Sequence, residues 1–340
     1  ELAIKGGVAC GSALFGLPGM ASQARKSGNQ TGHCAALSLH SIPKLIDIPP
    51  GRKCTVLLRN TFIHLPRVGK VTERELWESG VHTWDDFIAA ESLAPRVDGQ
   101  RDYLKSLIAE SQSKLDEKNA RYFNSCLPSR DMWRLYADFR TNAAFLDIET
   151  TGLSPETGYI TVVGVLDSEG YSSYVYDENL EELREAMEKY DLVVTFNGTS
   201  FDLPYVEHHY GRMFQDMAHI DLRYALRRAG YSGGLKSIEA RLGVGRPSSL
   251  TALSGYDAVV LWGQWTQGDY KARETLIRYN AEDVASLPAL AEIAYNRLSE
   301  RLPIVCPRLA PLHRHDIDLP YHEDVIERVT ASRKPSWLLA

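Results

Sequence analysis

The sequence predicts an α/β fold: a mixed β-sheet flanked by helices and preceded by a small helical module. From about residue 142, three short apolar runs typical of strands follow one another, then an amphipathic helix and a fourth buried strand. Helical patterns continue from there to about residue 300. Successive strands followed by a strand among helices indicate a mixed sheet. Between residues 60 and 140, by contrast, the apolar spacing is helical.

The order of these patterns divides the chain into five regions. We expect a disordered or artefactual leader at 1–55, because this stretch is rich in Gly, Ala and Ser without periodicity and starts with Glu rather than Met. Structured patterning starts near Val56, where we expect the native protein to begin. The other regions are a helical module at 56–92, connecting helices at 93–140, the α/β domain at 141–300 and a C-terminal tail at 301–340.

Composition limits the classes of function. The 340 residues carry a formal net charge of −6, so a nucleic-acid partner would need a local basic patch. The five cysteines form no C-x-x-C pair, which argues against a disulfide framework or a zinc ribbon and predicts a reducing, cytoplasmic compartment. No apolar run approaches about 18 residues, so we expect neither a membrane-spanning helix nor a membrane partner.

The stretch "FLDIETTGL" reads as a buried strand that carries two acids. Asp147 and Glu149 are two residues apart, so their carboxylates lie on the same face of the strand. At about 4 Å and a moderate dielectric, two such charges repel each other by on the order of 4 kcal/mol. A divalent cation is the simplest neutraliser, and Mg²⁺ or Mn²⁺ prefers carboxylates, water and phosphate oxygens as ligands.

Two later segments offer further oxygen ligands. In "VVTFNGTSFDLPYV" a buried strand ends, and Asp202 lies just inside the next helix. In "LIRYNAEDVASL", Tyr279 and Asp283 are four residues apart and share one face of a helix. Each signal alone has an ordinary structural explanation, but together they give four acids from three segments that could converge. Two ions about 3.5–4 Å apart would clamp a phosphodiester between them.

Three segments in order, "LDIETTGL", "FNGTSFDLPYV" and "YNAEDV", resemble the exonuclease motifs of the DEDD superfamily on a ribonuclease H-like fold. Tyr279, four residues before the last Asp, indicates the Tyr branch of that superfamily, DEDDy. With "HIDLRYALRRAG" and "GGLKSIEARLG" included, the domain looks closest to the YprB-type ribonuclease H-like domain of prokaryotes. The resemblance therefore covers most of the region at 141–300.

The resemblance implies metal-dependent 3′→5′ exonucleolytic release of nucleoside 5′-monophosphates from DNA or RNA, with a single-stranded 3′ end favoured. It implies two Mg²⁺ or Mn²⁺ ions, with Asp147 shared by both and Glu149 and Asp283 completing the hydrolytic site. Asp202 would act on the leaving-group ion through water, and Tyr279 would position the attacking water. Candidates for substrate contact are Thr150, Thr151, Leu153, Asn197 and Lys236.

The stretch "NTFIHLPRVGKVTERELWESGVHTWDDFIAA" resembles the helix-hairpin-helix family, which grips the nucleic-acid backbone through a Gly turn and a helix N-terminus. We expect Thr72 to cap one helix, with Glu75 completing a capping box, and Thr83 to open the next. Arg67 stands where the first of two hairpin glycines is usual. An ordinary helical packing module is the alternative interpretation.

Two other functions compete with the exonuclease. One is a structure-specific endonuclease on the same fold, and the other is a catalytically idle nucleic-acid-binding scaffold. The four acids with Tyr279 argue against the scaffold, because clustered carboxylates repel phosphate. The sequence shows no reader of a 2′-hydroxyl, so DNA and RNA are both candidate substrates.

Overall fold

The computed structural model describes residues 57–310 and 314–332, and the leader expected at 1–55 lies outside these residues. The α-helices are α1 Lys70–Glu78, α2 Trp84–Ala89, α3 Pro95–Asp98, α4 Arg101–Asp116, α5 Ala120–Cys126, α6 Tyr136–Phe139, α7 Leu183–Met187, α8 Asp202–Tyr210, α9 Leu222–Ala229, α10 Leu235–Leu242, α11 Ser248–Thr251, α12 Gly255–Trp265, α13 Tyr270–Ala285, α14 Leu287–Ser299 and α15 Glu323–Ala331. Short 3₁₀ helices are Leu57–Asn60, Ser129–Leu135, Arg140–Asn142 and Leu180–Glu182. The strands are β1 Ala143–Thr150, β2 Ile160–Leu166, β3 Tyr171–Val175, β4 Leu192–Thr195 and β5 Ala218–Asp221.

A five-stranded mixed sheet has the order β3-β2-β1-β4-β5. The central strand β1 is antiparallel to β2 and parallel to β4, and β4 is parallel to β5. The predicted α/β fold with a mixed sheet is therefore confirmed. The expectation of helices alone after the fourth strand is wrong, because β5 adds a fifth. With four residues, β5 is too short for its alternation to stand out in the sequence.

The two faces of β1 pack against different helices, because neighbouring residues of a strand point in opposite directions. Ile148 packs in an apolar cluster with Val206 of α8. Glu149 lies on the other face, where its partner on β2, Val162, packs in a cluster with Leu276 of α13. The helix α13 therefore covers the acidic face of β1.

The N-terminal helical region and the sheet domain share one hydrophobic core. Trp84 and Phe87 of α2 are fully buried, and they belong to the same apolar cluster as Leu290 and Tyr295 of α14. Burial of two large aromatic side chains contributes several kcal/mol, on the order of 3 kcal/mol each at most. This shared core fixes α1 and α2 against the C-terminal part of the sheet domain.

The predicted helix starts in the hairpin region are right for α2 and wrong for α1. Thr83 caps α2, since its hydroxyl accepts from Asp86 N at 3.1 Å while its own N donates to the Asp86 carboxylate at 2.9 Å. The helix α1 begins after Gly69, so Thr72 lies in its first turn and forms no capping box with Glu75. Gly69 already has the extended backbone of an N-cap, which starts the helix before Thr72.

The hairpin before α1 keeps a glycine-like conformation without a glycine. Arg67 has a φ of 62°, in the left-handed region that L-residues seldom occupy and that glycine adopts at little cost. This is the position where the helix-hairpin-helix family usually has its first hairpin glycine. The resemblance to that family stays a prediction.

The connecting region is less regular than expected, and the tail is more regular. The helix α4 is long, but Ser129–Leu135, predicted as α-helix, is a 3₁₀ helix. In the tail, α15 buries Val325 and Val329 in the apolar cluster that also contains residues of α12 and α13. Among the described residues, no helix combines the length and the hydropathy that crossing a membrane requires.

Candidate active site

Three acids converge on the acidic face of β1. Asp147 is partly exposed, whereas Glu149 and Asp283 are only 7% and 8% exposed. One ligand oxygen from each of the three lies within 4.8 Å of the others. The convergence follows from α13 packing across β1 and β2, which turns Asp283 towards the strand. Asp147 and Glu149 are adjacent there because the strand repeats every second residue.

Asp202 lies beside this cluster at the start of α8. It is 3% exposed, and its Oδ1 accepts a hydrogen bond from the backbone N of Ile148 at 3.2 Å. That bond joins α8 to the strand between the two β1 acids. Burial raises the pKa of Asp202 to about 7, although hydrogen bonds from the backbone N–H groups of Asp202 and Ile148 oppose the shift.

The clustered carboxylates disfavour one another's charge. Loss of solvation, followed by the negative charges of Asp283 and Asp202, raises the pKa of Asp147 well above its usual value. The same causes, in the same order, raise the pKa of Glu149. A divalent cation would offset this repulsion, and carboxylate oxygens are the ligands that Mg²⁺ and Mn²⁺ prefer. The donor set of Asp147, Glu149 and Asp283 therefore fits such an ion.

Tyr279 lies one helical turn before Asp283 on α13, as predicted, and is 5% exposed. The Lys236 ammonium lies 4.8 Å from the centre of its ring, a cation–π contact. Burial, followed by the charges of Asp283 and Glu149, raises the pKa of Tyr279. The phenol therefore keeps its proton and can both donate and accept a hydrogen bond.

Asn280 is a site residue that the sequence analysis missed. Its Nδ2 donates to Asp147 Oδ2 at 3.0 Å and to the Asp147 carbonyl at 3.3 Å, and its Oδ1 accepts from Tyr171 OH at 2.9 Å. A Cβ at Gly164 would lie 1.9 Å from Asn280 Oδ1, so this close approach needs a glycine. The available signals were a polar residue next to Tyr279 and a glycine inside the apolar strand β2.

A second missed group is a buried arginine that bridges two acids. Arg246 Nη1 donates to Asp283 Oδ1, while Nε and Nη2 donate to the Glu239 carboxylate at 3.0 Å and 2.6 Å. The Arg246 side chain is 1% exposed. Ser286 Oγ donates to Glu239 Oε1 at 2.6 Å. No sequence pattern marks this bridge, because Glu239 and Arg246 are polar residues on either side of a helix end and only tertiary packing buries them.

Negative charge exceeds positive charge around this site. The carboxylates are Asp147, Glu149, Asp202, Glu239 and Asp283, and the cations are Lys236 and Arg246. Five acids and two bases leave a formal excess of three negative charges when all are ionised. An unbalanced charge cluster with little exposure to water indicates a functional site rather than a structural ion-pair network.

Two of the candidate substrate contacts at the end of β1 and in the loop after it form hydrogen bonds within that segment. Thr150 Oγ1 donates to the Gly152 carbonyl at 2.7 Å, and Thr151 Oγ1 accepts from Tyr159 N at 3.0 Å. Leu153, by contrast, is 89% exposed. The loop thus presents one apolar side chain to solvent and uses its hydroxyls to hold its own shape.

The other two candidates differ in what they contact. Asn197 adopts a φ of 74° in the turn before α8, and its side-chain oxygen accepts from Arg223. Its backbone N donates to Asp221 Oδ1 at 2.9 Å, which ties the turn to the end of β5. Lys236 is near the acids, because it covers the Tyr279 ring. The structure therefore brings Lys236 to the cluster and gives Asn197 a role in shaping the turn that carries Asp202.

Comparisons with known proteins give a family for one part of the chain. Residues 144–295 match the family model described as RNase_H superfamily. No curated protein matches the sequence. The RNase H-like fold predicted from the motifs is thereby confirmed for the segment that carries the acids.

Solved structures similar to this chain include two proteins. The family B DNA polymerase from the hyperthermophilic archaeon Pyrobaculum calidifontis is 18% identical with a TM-score of 0.36, over 45% of this chain and 25% of the polymerase. NrnC from Brucella melitensis with bound Mg²⁺ is 24% identical with a TM-score of 0.33, over 51% of this chain and 79% of NrnC. NrnC bound to pGG is 22% identical with a TM-score of 0.36, over 51% and 78%. Residues 144–295, which include the four predicted acids, are therefore similar to the RNase H superfamily.

Proposed function

We propose that this chain is a metal-dependent nuclease that digests DNA or RNA from the 3′ end and releases nucleoside 5′-monophosphates. The observation that carries the proposal is the approach of Asp147, Glu149 and Asp283 to within 4.8 Å in an RNase H-like domain. The 3′→5′ direction rests on the resemblance of the three motifs to the DEDDy branch, in which Tyr279 and Asp283 share a helix face.

Each acid has a role that follows from its place. Asp147, Glu149 and Asp283 would hold two Mg²⁺ or Mn²⁺ ions, with Asp202 at the edge of the group. When bound, such ions activate a water molecule and stabilise the leaving oxygen of the phosphodiester. The excess of negative charge on the protein would favour a divalent over a monovalent cation at this site.

The remaining groups of the site orient the acids and the attacking water. Asn280 donates a hydrogen bond to Oδ2 of Asp147 and none to Oδ1. Arg246 donates in the same way to Oδ1 of Asp283 and not to Oδ2. The protonated Tyr279 hydroxyl would accept from, or donate to, the attacking water and so fix its direction. Leu153, exposed at the tip of the loop after β1, would pack against the terminal base.

A time course with end-labelled nucleic acid tests the proposal. Single- and double-stranded DNA and RNA with a 5′ label are incubated with Mg²⁺ or Mn²⁺, and with EDTA as the metal-free control. We expect a ladder that shortens one nucleotide at a time, and loss of activity by at least about a thousandfold in Asp147→Ala. Glu169→Ala is the matched control, because that carboxylate is 86% exposed, lies in the turn between β2 and β3 and is not one of the clustered acids.

Two outcomes would remove the proposal. Equal activity of wild type and Asp147→Ala would exclude the acidic cluster as the active site. Degradation of circular or 3′-blocked substrates at the same rate as free 3′ ends would assign an endonuclease instead.

A further inference from the structure

A basic cavity of about 300 Å³ lies between the N-terminal helices and the sheet domain, away from the acidic cluster. One wall is α1, another is the 3₁₀ helix Ser129–Leu135, and the end of α14 with the residues after it closes the third side. Its charged lining residues are Lys70, Arg74, Arg134, Arg228, Arg301, Glu73 and Asp131.

The cavity has the opposite charge to the chain as a whole. Five of its lining residues are Lys or Arg and two are acids, which leaves a formal excess of three positive charges in a protein of net charge −6. Both acids have cationic partners, although Asp131 Oδ2 accepts no hydrogen bond within the described part of the chain. Glu73 takes two N–H groups of Arg134 at 2.8 Å and 2.9 Å, and Asp131 meets Lys70 at 2.9 Å and Arg228 at 3.3 Å.

Two arginines remain without a carboxylate partner among the described residues. Arg74 is exposed and forms no ion pair within that part of the chain. Arg301 donates to the main-chain carbonyls of Arg228 and Ala229, and the second of these bonds is 3.1 Å long. These bonds hold the Arg301 guanidinium at the C-terminal end of α9, whose partial negative charge offsets only part of its full positive charge.

Two buried N–H donors of the lining residues also lack an acceptor. Trp133 is 4% exposed and Arg134 is 2% exposed, and neither Trp133 Nε1 nor Arg134 Nε has a hydrogen-bond partner within the described part of the chain. A buried donor left unpaired costs free energy, so native proteins usually supply an acceptor from protein, water or ligand. Unpartnered N–H donors and an excess of positive charge among the lining residues favour an anion as the ligand of this cavity.

A second cavity lies next to this one, on the side of the turn before α8. It measures about 290 Å³, shares Trp133 and Arg228 with the first, and reaches Thr199 and Asp221. Thr199 belongs to the turn that precedes Asp202, and its backbone N donates to Asp221 at 3.1 Å. The two cavities are therefore neighbours, and the second lies beside the turn that precedes Asp202.

We propose that the basic cavity binds a phosphoryl group, supplied by the backbone of the nucleic acid whose 3′ end is cleaved. Arg and Lys side chains that bind phosphate supply affinity without reading sequence, as expected of a nuclease that acts on any base. The source of the phosphoryl group rests on the proposed function, whereas the anion site itself rests on the charges and donors of the cavity.

Binding measured without metal tests this site separately from catalysis. The affinity of wild type and variants for a 5′-labelled single-stranded 15-mer is followed by fluorescence anisotropy in EDTA at several salt concentrations. We expect Arg74→Ala and Arg301→Ala to bind about three- to tenfold more weakly. Each should also lower the slope of log K against log salt by about 0.7 for every phosphate that the variant no longer binds. Arg96→Ala is the matched control, an arginine 64% exposed, in the same region, and outside the cavity lining.

A second arm distinguishes nucleic acid from a free anion. Inorganic phosphate and a nucleoside monophosphate are titrated against wild type and Trp133→Phe, which removes one N–H and keeps an aromatic ring, while the melting temperature is recorded. A shift in wild type that is smaller in Trp133→Phe supports the phosphoryl site. If no variant differs from wild type in either arm, the cavity holds water alone and the proposal is overturned. If wild type binds the oligonucleotide through these arginines but cleaves nothing with metal, the nuclease proposal fails and this one stands.

Discussion

The ion pair of the helical region and the acidic cluster of the sheet domain both bury charge, but they balance it differently. Glu73 and Arg134 are 1% and 2% exposed in their side chains, and each carboxylate oxygen of Glu73 receives a guanidinium N–H. Glu73 Oε1 also accepts from Phe62 N at 2.8 Å. In the acidic cluster, Asp147 and Glu149 face Asp283 with too few cations nearby. A balanced pair serves the fold, whereas the charge of an unbalanced cluster could be offset by a bound cation.

The largest expected effect comes from breaking the balanced pair. Arg134→Met leaves Glu73 buried without its partner, so we expect the free energy of unfolding to fall by about 3–5 kcal/mol. Urea denaturation followed by circular dichroism measures the loss. Adding Glu73→Gln to Arg134→Met should recover part of it, because the amide oxygen still accepts from Phe62 N. A loss below about 1 kcal/mol, as for an exposed pair, would show that the bridge contributes little.

Removing a charge from the unbalanced cluster should increase the free energy of unfolding instead of lowering it. Asp147→Asn keeps an oxygen for Asn280 but removes one of the repelling charges, so in EDTA at pH 8 it should stabilise the protein by roughly 1–4 kcal/mol. In the wild type, divalent metal at about 100 times Kd should add about 2.7 kcal/mol, and the variant should lose that gain. Thermal unfolding with and without Mn²⁺ measures both. A variant less stable than wild type in EDTA would mean that the acids do not destabilise one another.

The helical region should also be the part that acid weakens. Burial lowers the pKa of His64 to about 3, and the charge of Arg134 contributes in the same direction. The folded state therefore favours neutral His64, whose stabilisation is complete above about pH 6.5 and is lost as the pH falls towards 3. Between pH 6.5 and 5 this costs on the order of 2 kcal/mol. His64→Gln should flatten the pH dependence of unfolding in that window, and an unchanged slope would assign the acid sensitivity elsewhere.

A smaller effect is expected at Arg246, which pairs with Glu239 and also contacts Asp283 of the acidic cluster. Arg246→Lys keeps a positive charge but cannot bind Glu239 through two N–H groups while also holding Asp283. We expect Mn²⁺ to bind about tenfold more weakly, the usual cost of losing a group that orients a metal ligand. Calorimetric titration gives the affinity, and Arg241→Lys, on the exposed side of α10, is the matched control. An affinity equal to that of wild type would show that Arg246 serves only the packing of α10.

The sequence predicted the parts of this protein that local patterns encode. The four longer or more apolar strand signals, the helix carrying Tyr279 and Asp283, and the cap at Thr83 follow from periodicity and side-chain chemistry. The predicted start of α1 was wrong, because Gly69 supplied an extended N-cap before Thr72 did. The four-residue strand β5 was missed, because its identity depends on pairing with β4.

The residues of the candidate site likewise divide into those that local patterns predicted and those that only tertiary contacts reveal. Asp147 and Glu149 could be recognised because two acids in an apolar strand contradict their surroundings, and Asp283 because it shares a helix face with Tyr279. Asn280 and Arg246 act through tertiary contacts with Asp147 and Asp283, and no spacing in the chain specifies those contacts. The basic cavity is likewise built from residues of distant segments, so no spacing in the sequence marks it.

The most direct test of the central claim is a calorimetric titration of Mn²⁺ into wild type, Asp147→Asn and the exposed control Glu169→Gln, in one buffer at pH 8. If the unbalanced acids form a site for divalent ions, wild type and Glu169→Gln will bind Mn²⁺ with the same affinity, and Asp147→Asn will show little or no binding heat. Absence of binding to wild type, or equal binding to Asp147→Asn, would contradict the account.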